Sequence, residues 1–392
     1  MLWSWIRSGR WLAHLRFRFG GEGAKVLFMR DFTGRLKRID EFDLFDAETV
    51  KLILSGDSVV DWYRLNLHSE AQAIELLEAM EYRPKEASDR AHLQHIAEEA
   101  ISFLRRHFDF PMPKPVERAS IEELMLIASG KERHRRVCAC TILKAMHIVH
   151  HVECRELLFT LPMSMQKVFE LVEEKVYRLI GEMMGLGLPI VEFIGGRKNK
   201  DSLYTKLLSK PETTAANVYD RLRFRIVTRG ADDVLPTILH LSKFVFPFHQ
   251  VVPRQSLNTM FRLKSYLSQH EAIAPLVPQL QLAATDDLTV TDNAFSGASF
   301  RAVHFVADVP VRIAKDQVAG VPSNVLARGP VVSVLSEFQI VDKETEIANE
   351  FGDASHTAYK NRQKKAVARR IMTGSPDSER RTDPVPSSRN RS

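Results

Sequence analysis

The periodicity of the apolar residues changes once along this chain, near Gly185. From about Asp46 to Gly185, apolar residues recur at the spacing of a helix face, which predicts a series of amphipathic helices. Ser120 and Glu123 form a capping box that predicts a helix start, and a long helix is predicted over 165–184. Helical periodicity by itself indicates no activity.

After Gly185 the pattern changes to short β-rich runs with helical segments between them. Strands are predicted over 189–194, 222–228, 300–311 and 330–341, and helices over 202–209 and 232–244. This alternation predicts an α+β fold, in which a helical N-terminal domain is followed by a mixed β-sheet flanked by helices.

Composition and periodicity divide the chain into four regions. We predict a basic, Trp-rich arm over 1–40, a helical domain over 41–186, a sheet domain over 187–365 and a basic tail over 366–392. Residues 1–40 contain nine basic and three acidic side chains, as do residues 361–392. Because the whole chain has a net charge of +6, residues 41–360 between these ends are net acidic. That distribution disfavours a broad groove for duplex nucleic acid. Contact of the basic ends with RNA or a membrane surface stays open.

The cysteine content favours a reducing compartment. Cys138, Cys140 and Cys154 are too few for a disulfide framework in 392 residues. No stretch reaches the roughly 18 apolar residues that span a bilayer, and arginines interrupt the apolar start of the chain, so we expect a cytoplasmic protein. Two of the cysteines share a helical face with His147 and His151. Helix rise separates Cys140 from His147 by about 10 Å, so only the two histidines are near enough to share a metal ion.

The sheet region contains the residue types that bind polyphosphates. Two carboxylates on separate strands, Asp220 and Glu337, can converge on Mg²⁺, which prefers oxygen ligands. Arginine and lysine side chains nearby can neutralise charge on a transferring phosphoryl group. Arg225 and Phe300 offer flat faces on which a purine can stack. Taken singly, each has a plainer explanation: Arg225 alternates with Arg223 as on a solvated strand face, and Phe300 fits a core.

The order and spacing of these residues resemble the (p)ppGpp synthetase domain of the RelA/SpoT family. Five motifs in the family's order carry the resemblance, which covers about residues 189–362. They are Gly196-Arg197-Lys198 with Ser202, Tyr204 and Lys206; Asp220 with Arg225; Arg262-Leu263-Lys264-Ser265-Tyr266; Phe300-Arg301-Ala302-Val303-His304; and Glu337-Phe338-Gln339-Ile340 with Glu350, His356, Tyr359 and Lys360. The His-Asp dipeptide of the family's hydrolase domain does not occur in this chain, so we expect no alarmone hydrolase activity.

The resemblance implies a nucleotidyltransferase-like sheet and transfer of the β,γ-pyrophosphate of ATP to the 3′-hydroxyl of GDP or GTP. It implies that Asp220 and Glu337 hold Mg²⁺ and that Glu337 also helps to deprotonate the attacking hydroxyl. The nucleotide-binding residues that it implies fall into three groups. These are Arg197, Ser202 and Arg225 for ATP, Arg262, Lys264 and His304 for phosphates, and Phe300 with Gln339 for guanine.

The chain departs from the family pattern mainly on the acceptor side. Ser265 stands where the family has an aspartate, Val341 replaces an arginine, and an insertion of about 268–296 separates Lys264 from Phe300. Two alternatives to a guanosine acceptor therefore stay open. One is the same chemistry on the 3′ end of tRNA, and the other is a catalytically silent nucleotide-binding or scaffold protein.

Overall fold

The computed structural model describes residues 36–56, 67–198, 200–209, 222–280, 282, 297, 299–314, 317 and 329–372. Asp220, one of the two predicted Mg²⁺ ligands, lies outside the described residues. Most of the predicted arm, the tail beyond 372 and much of the 268–296 insertion also lie outside them. The described residues from Leu36 onward belong to one compact unit.

Helices make up most of the described chain before residue 186. In order they are α1 (Leu44–Ser55), α2 (Glu70–Ala79), α3 (Ala87–Phe108), α4 (Lys114–Glu117), α5 (Ile121–Ser129), α6 (Arg133–Thr160) and α7 (Met165–Gly185). The predicted capping box is present at the start of α5, where Ser120 Oγ accepts a hydrogen bond from the Glu123 amide (3.2 Å) and the Glu123 carboxylate accepts one from the Ser120 amide (2.7 Å). Helix α7 matches the predicted long helix.

The rest of the chain combines strands and helices. In order they are β1 (Ile190–Arg197), α8 (Lys200–Ser209), β2 (Leu222–Thr228), α9 (Val234–Phe244), β3 (Leu257–Asn258), α10 (Leu263–Leu267), β4 (Val303–Arg312), β5 (Val331–Asp342), α11 (Lys343–Asn349) and α12 (His356–Met372). Short 3₁₀ turns lie at Ile39–Glu41, Ala231–Asp233, Phe248–Gln250, Ala274–Leu280 and Gly352–Ala354. The four predicted strands and two predicted helices are confirmed, with ends displaced by about three residues or less.

The strands form one mixed sheet in the order β1-β2-β5-β4-β3. Strands β2 and β5 run parallel at its centre, and the other neighbouring pairs are antiparallel. A short hairpin cannot join two parallel strands, so a long connection is needed between β2 and β5. That connection contains α9, β3, α10 and β4. The predicted α+β class with a mixed sheet is therefore confirmed.

One face of the sheet is built from aromatic rings. Phe193, Phe224, Phe338 and Phe305 lie on four neighbouring strands, and successive ring centroids are 6.0, 5.3 and 5.5 Å apart. Phe246, in the segment after α9, closes over this row with its centroid 5.0 Å from that of Phe338. Side chains alternate along a strand, so the residues between these phenylalanines point to the opposite face.

Helix α6 covers one end of that opposite face. Asp308 of β4 is buried there, and Arg155 of α6 donates to both of its carboxylate oxygens at 3.3 and 3.2 Å. His151 of α6 lies 3.4 Å from the same carboxylate. Polar side chains of β2, β4 and β5 lie at the other end of this face, toward the end of β5.

The helical and sheet regions are joined by charged contacts. Arg312, at the end of β4, donates to both carboxylate oxygens of Asp89 on α3 at 2.7 and 2.8 Å. Lys243 of α9 likewise contacts Asp46 of α1 at 2.8 Å. The division into domains at 186/187 stays a prediction.

The helical region carries buried cysteines and histidines. Cys138, Cys140 and Cys154 are all buried, free thiols. The Cys154 sulfur lies 3.4 Å from Nε2 of His150, its neighbour one turn earlier. Across the described ranges, no group of three or more His, Cys, Asp or Glu side chains is arranged to hold a metal ion. Nor does any helix in those ranges combine the length and apolar character needed to cross a lipid bilayer.

Replacement of Phe338 by alanine tests the aromatic face. Phe338 is fully buried among three other rings, so Phe338→Ala should lower the free energy of unfolding by about 3–5 kcal/mol in urea titrations. Phe351 is 69% exposed, and Phe351→Ala, as the control, should lower it by less than about 1 kcal/mol. Equal losses in the two variants would contradict the assignment of this face to the core.

A buried and a half-buried histidine of α6, His150 and His147, predict an acid-sensitive fold. Burial lowers the pKa of His147 to about 4 and that of His150 to about 3, whereas the unfolded side chains titrate near 6.5. Between about pH 4 and 6.5 the unfolded chain binds protons that the folded chain does not. The free energy of unfolding should therefore fall as the pH falls, by up to about 1.4 kcal/mol per pH unit for each histidine.

Urea unfolding at pH 5 and pH 7 measures this effect. His150→Gln should make the loss of stability between the two pH values smaller than in the wild type. His107→Gln, at an exposed position of α3, serves as the control and should leave the loss unchanged. The same pH dependence in all three proteins would contradict the role of His150.

Candidate functional site

Polar side chains from three strands meet on the face opposite the aromatic row. In the parallel pairing of β2 with β5, Arg223 lies opposite Glu337 and Arg225 lies opposite Gln339. In the antiparallel pairing of β4 with β5, His304 lies opposite Gln339. Residues that pair directly point to the same face, so these five side chains, the polar cluster, are brought together by register alone.

Glu337 is the buried anion of the polar cluster. Its side chain is 11% exposed, and its Oε1 accepts a hydrogen bond from His304 Nε2 at 3.1 Å and lies 3.4 Å from Arg223 Nε. Burial by itself raises the pKa of this carboxyl. The hydrogen bond from His304 and the positive charges of His304, Arg223 and Lys206 outweigh burial and lower the pKa of Glu337 to about 2. Glu337 is therefore ionised at neutral pH.

The two arginines of β2 are both bonded. Arg223 donates to the side-chain carbonyl of Gln339 as well as contacting Glu337. Arg225 forms an ion pair with Glu346 of α11. Burial raises the pKa of Glu346, although the charge of Arg225 opposes that rise. Arg225 is thus held in place by Glu346. The alternation of Arg223 and Arg225 along the strand by itself suggests a solvated side chain.

Two helices add positive charge to the polar cluster. Lys206 of α8 is one of the cations that lower the pKa of Glu337. His356 begins α12, and its pKa is lowered by burial and by the nearby charges of Lys360, Arg223 and Arg225. Ser202 lies one turn before Lys206 on the same helix and is half-buried. Helices α8 and α12 pack against each other, as shown by the hydrogen bond from Arg370 to the Leu208 carbonyl (2.9 Å).

Arg197 is not brought into the polar cluster. It ends β1, and its guanidinium donates to both oxygens of Glu173 on α7, with Nε at 3.0 Å and Nη2 at 2.7 Å. Its guanidinium carbon also lies 5.9 Å from the ring centre of Phe169. These contacts are with α7, which packs against the aromatic face through Tyr177 and Phe193. The role of Arg197 in binding ATP stays a prediction.

The remaining predicted residues lie on segments that flank the polar cluster. Arg262 and Lys264 are exposed at the start of α10, where Tyr266 anchors the helix by a hydrogen bond to Asp232. Phe300 is half-buried in the short segment that leads into β4, four residues before His304. The roles of Arg262, Lys264 and Phe300 in nucleotide binding also stay predictions.

The donor set around Glu337 suits a hard cation in part. His304 and Arg223 approach Oε1 of this carboxylate at 3.1 and 3.4 Å. An ionised carboxylate oxygen is a ligand type that Mg²⁺ prefers. Glu337 therefore fits half of the predicted pair, while Asp220 lies outside the described residues.

Sequence reasoning missed three of the contacts that shape the site. It treated Arg223 as a solvated residue of the strand surface. Arg223 in fact lies on the same face as Arg225 and directly opposite Glu337 of β5. It gave no role to Glu346 or Asn349, which follow β5 on α11. Asn349 hydrogen-bonds the backbone of Arg301, 48 positions away, and no local pattern signals such a contact.

Comparisons with known proteins find similar structures but no similar sequences. No family model and no curated protein matches the chain. The chain is similar to the crystal structure of the small alarmone synthetase 2 of Bacillus subtilis, with 12% identity, a TM-score of 0.29, and coverage of 58% of this chain and 94% of that one. It is also similar to a GTP pyrophosphokinase family protein of Streptococcus pneumoniae, with 15% identity, a TM-score of 0.28, and coverage of 56% and 95%.

A third similar structure is the small alarmone synthetase 1 of Bacillus subtilis, described as bound to its product pppGpp. It has 15% identity, a TM-score of 0.28, and coverage of 55% of this chain and 93% of that one. At identities this low, the function of the present chain has to be inferred from the residues of its own site.

A double-mutant cycle tests the ion pair between Arg225 and Glu346. Their side chains are only 28% and 15% exposed, so the coupling between Arg225→Met and Glu346→Gln should be about 1–2 kcal/mol in the free energy of unfolding. Arg135 and Glu132 form a more exposed pair at the start of α6 (47% and 61% exposed) and serve as the control, with an expected coupling of about 0.3–0.5 kcal/mol. Additive effects of Arg225→Met and Glu346→Gln would mean that the two side chains do not interact.

Proposed function

We propose that this protein is a pyrophosphokinase that transfers the β,γ-pyrophosphate of ATP to the 3′-hydroxyl of GDP or GTP in the cytoplasm. The observation that carries the proposal is the polar cluster. Glu337, Gln339, His304 and Arg225 come from three motifs that resemble the synthetase family, and the strand register places them side by side on one sheet face. His304 contacts Glu337, and Arg223 joins Glu337 to Gln339. A silent scaffold has no need of a buried carboxylate surrounded by cations, because burying that charge is costly.

The charge balance of the site favours a polyphosphate ligand. Around Glu337 lie His304, Arg223 and Lys206, and Arg225 extends the positive field along β2. Positively charged side chains in a partly buried site attract phosphate groups and stabilise charge that develops on them during transfer. Glu346 holds the guanidinium of Arg225 in place, which prepares its flat face to stack on adenine.

In the proposed reaction the 3′-hydroxyl oxygen of the acceptor attacks the β-phosphorus of ATP. The bond from that phosphorus to the oxygen that bridges it to the α-phosphorus breaks, AMP leaves, and the hydroxyl proton is released. Mg²⁺ held by Glu337 and Asp220 would neutralise negative charge on the phosphates. The pKa of Glu337 is lowered to about 2, which makes it a weak base, so we assign it to holding the metal ahead of accepting the proton.

Helix α12 supports a second candidate, the same transfer to the 3′ end of tRNA. The helix has six basic residues and no acidic residue, and it begins beside the polar cluster at His356. Lys360, Lys364 and Lys365 are exposed along it. A row of cations that leads away from a catalytic site suits the backbone of a nucleic acid better than it suits a mononucleotide.

The proposed activity predicts a loss of product in Glu337→Gln. Purified protein with Mg²⁺ and ATP labelled at the γ-phosphate should transfer label to GDP or GTP. Glu337→Gln should lower the rate by at least about 100-fold, because an interaction with the transferring group is lost. Glu344→Gln, exposed in the first turn of α11, is the matched control and should retain the wild-type rate within about twofold.

The acceptor decides between the candidates in the same assay. Label on deacylated tRNA alone would select the tRNA reaction over the guanosine nucleotide reaction. Absence of labelled product with GDP, GTP and tRNA would overturn both and leave a nucleotide-binding or scaffold role. Equal rates in wild type and Glu337→Gln would overturn the assignment of Glu337.

A further inference from the structure

The segment that carries Phe300 is fixed through its backbone by a buried side chain from α11. Asn349 Oδ1 accepts a hydrogen bond from the Arg301 amide at 3.0 Å, and Asn349 Nδ2 donates to the Arg301 carbonyl at 2.7 Å. Asn349 is only 6% exposed. One side-chain amide thus satisfies both backbone groups of the residue that follows Phe300, as a neighbouring strand would.

The same segment is held from its other side by a hydroxyl. Thr259 Oγ1 accepts from the Ala302 amide at 2.9 Å and donates to the Ala302 carbonyl at 3.0 Å. Thr259 is 5% exposed. These two pairs of hydrogen bonds hold the backbone of consecutive residues, Arg301 and Ala302, just before β4 begins. They leave Phe300 at the end of a backbone segment with little freedom to move.

Helix α11 also reaches the other side of the site. Glu346, which pairs with Arg225, precedes Asn349 by three positions, a spacing that puts both on one side of a helix. The start of α11 is itself fixed, because the Asp342 carboxylate at the end of β5 accepts hydrogen bonds from the amides of Glu344 and Thr345, both at 3.0 Å. One short helix therefore connects β2 to the Phe300 segment.

We propose that Asn349 is a positioning residue that sets the Phe300 segment for the acceptor nucleotide, while Glu346 on the same helix sets Arg225 for ATP. The proposal rests on the proposed pyrophosphokinase function. Asn349 contacts the backbone of the segment and acts through it. Its loss should therefore weaken the use of the acceptor and leave the use of ATP nearly unchanged.

The alternative is that Asn349 only stabilises the fold. In that case its replacement would reduce the amount of active protein and lower the maximal rate with either substrate varied, without changing either KM. A positioning role changes the KM for one substrate selectively. The ratio of the two KM values therefore separates the two roles.

The test compares the full-length wild type with Asn349→Ala, Asn349→Asp and the control Lys343→Ala, an exposed position on the same helix. Steady-state rates are measured with GTP varied and then with ATP varied. Asn349→Ala should raise the KM for GTP about tenfold, as expected for the loss of a buried hydrogen-bonded pair, and change the KM for ATP by less than about twofold. Asn349→Asp keeps the acceptor for the Arg301 amide and should show a smaller rise.

Hydrogen exchange gives a readout that does not require activity. Backbone amides in peptides covering 299–302 should exchange faster in Asn349→Ala than in the wild type and in Lys343→Ala, while peptides of β2 should not change. Unchanged exchange over 299–302, or a parallel rise of both KM values, would overturn the positioning role. A wild type that yields no product with any acceptor would overturn the proposed function, and the exchange comparison would still decide whether Asn349 fixes the segment.

Discussion

The parallel pairing of β2 with β5 at the centre of the sheet determines most of what this structure can do. In one register it places Arg223 opposite Glu337 on one face and Phe224 opposite Phe338 on the other. A slip of one residue would bring phenylalanines to the polar side and charges into the core. The aromatic row therefore fixes the register, and the register assembles the polar cluster.

Burial of Glu337 explains why hydrogen-bond donors and positive charge surround it. A carboxylate removed from water needs compensating partners, and His304 and Arg223 supply them from the two strands next to β5. Arg225, one step further along β2, finds its own counter-charge on α11, which follows β5 without a loop. One continuous stretch of chain, 337–349, thus contributes four parts of the site. They are the carboxylate of Glu337, the side-chain amide of Gln339, the counter-charge of Glu346 and the hydrogen bonds of Asn349 to the Arg301 backbone.

The strands and part of the site could be predicted from the sequence, and the physical reasons can be named. Period-two alternation and turn residues marked the strands, and the order of short motifs marked Arg225, His304, Glu337 and Gln339, which register then brings together. The contact of Arg197 with Glu173 was not predictable, because either face of an edge strand can receive an arginine. The contact of Asn349 with Arg301 was not predictable for a different reason: Asn349 bonds the backbone of Arg301, and a backbone partner does not depend on the identity of the residue.

The alternation within β5 also separates the residues that pack the core from those that form the site. Ser336, Phe338 and Ile340 point into the core, and Glu337 and Gln339, interleaved with them, point into the site. Replacement at the first set changes the packing of the core, whereas replacement at the second set changes the charge and hydrogen bonding of the site. One strand thus carries the packing of the core and the chemistry of the site on alternate residues, so a change of reaction on this fold is confined to every second position of β5.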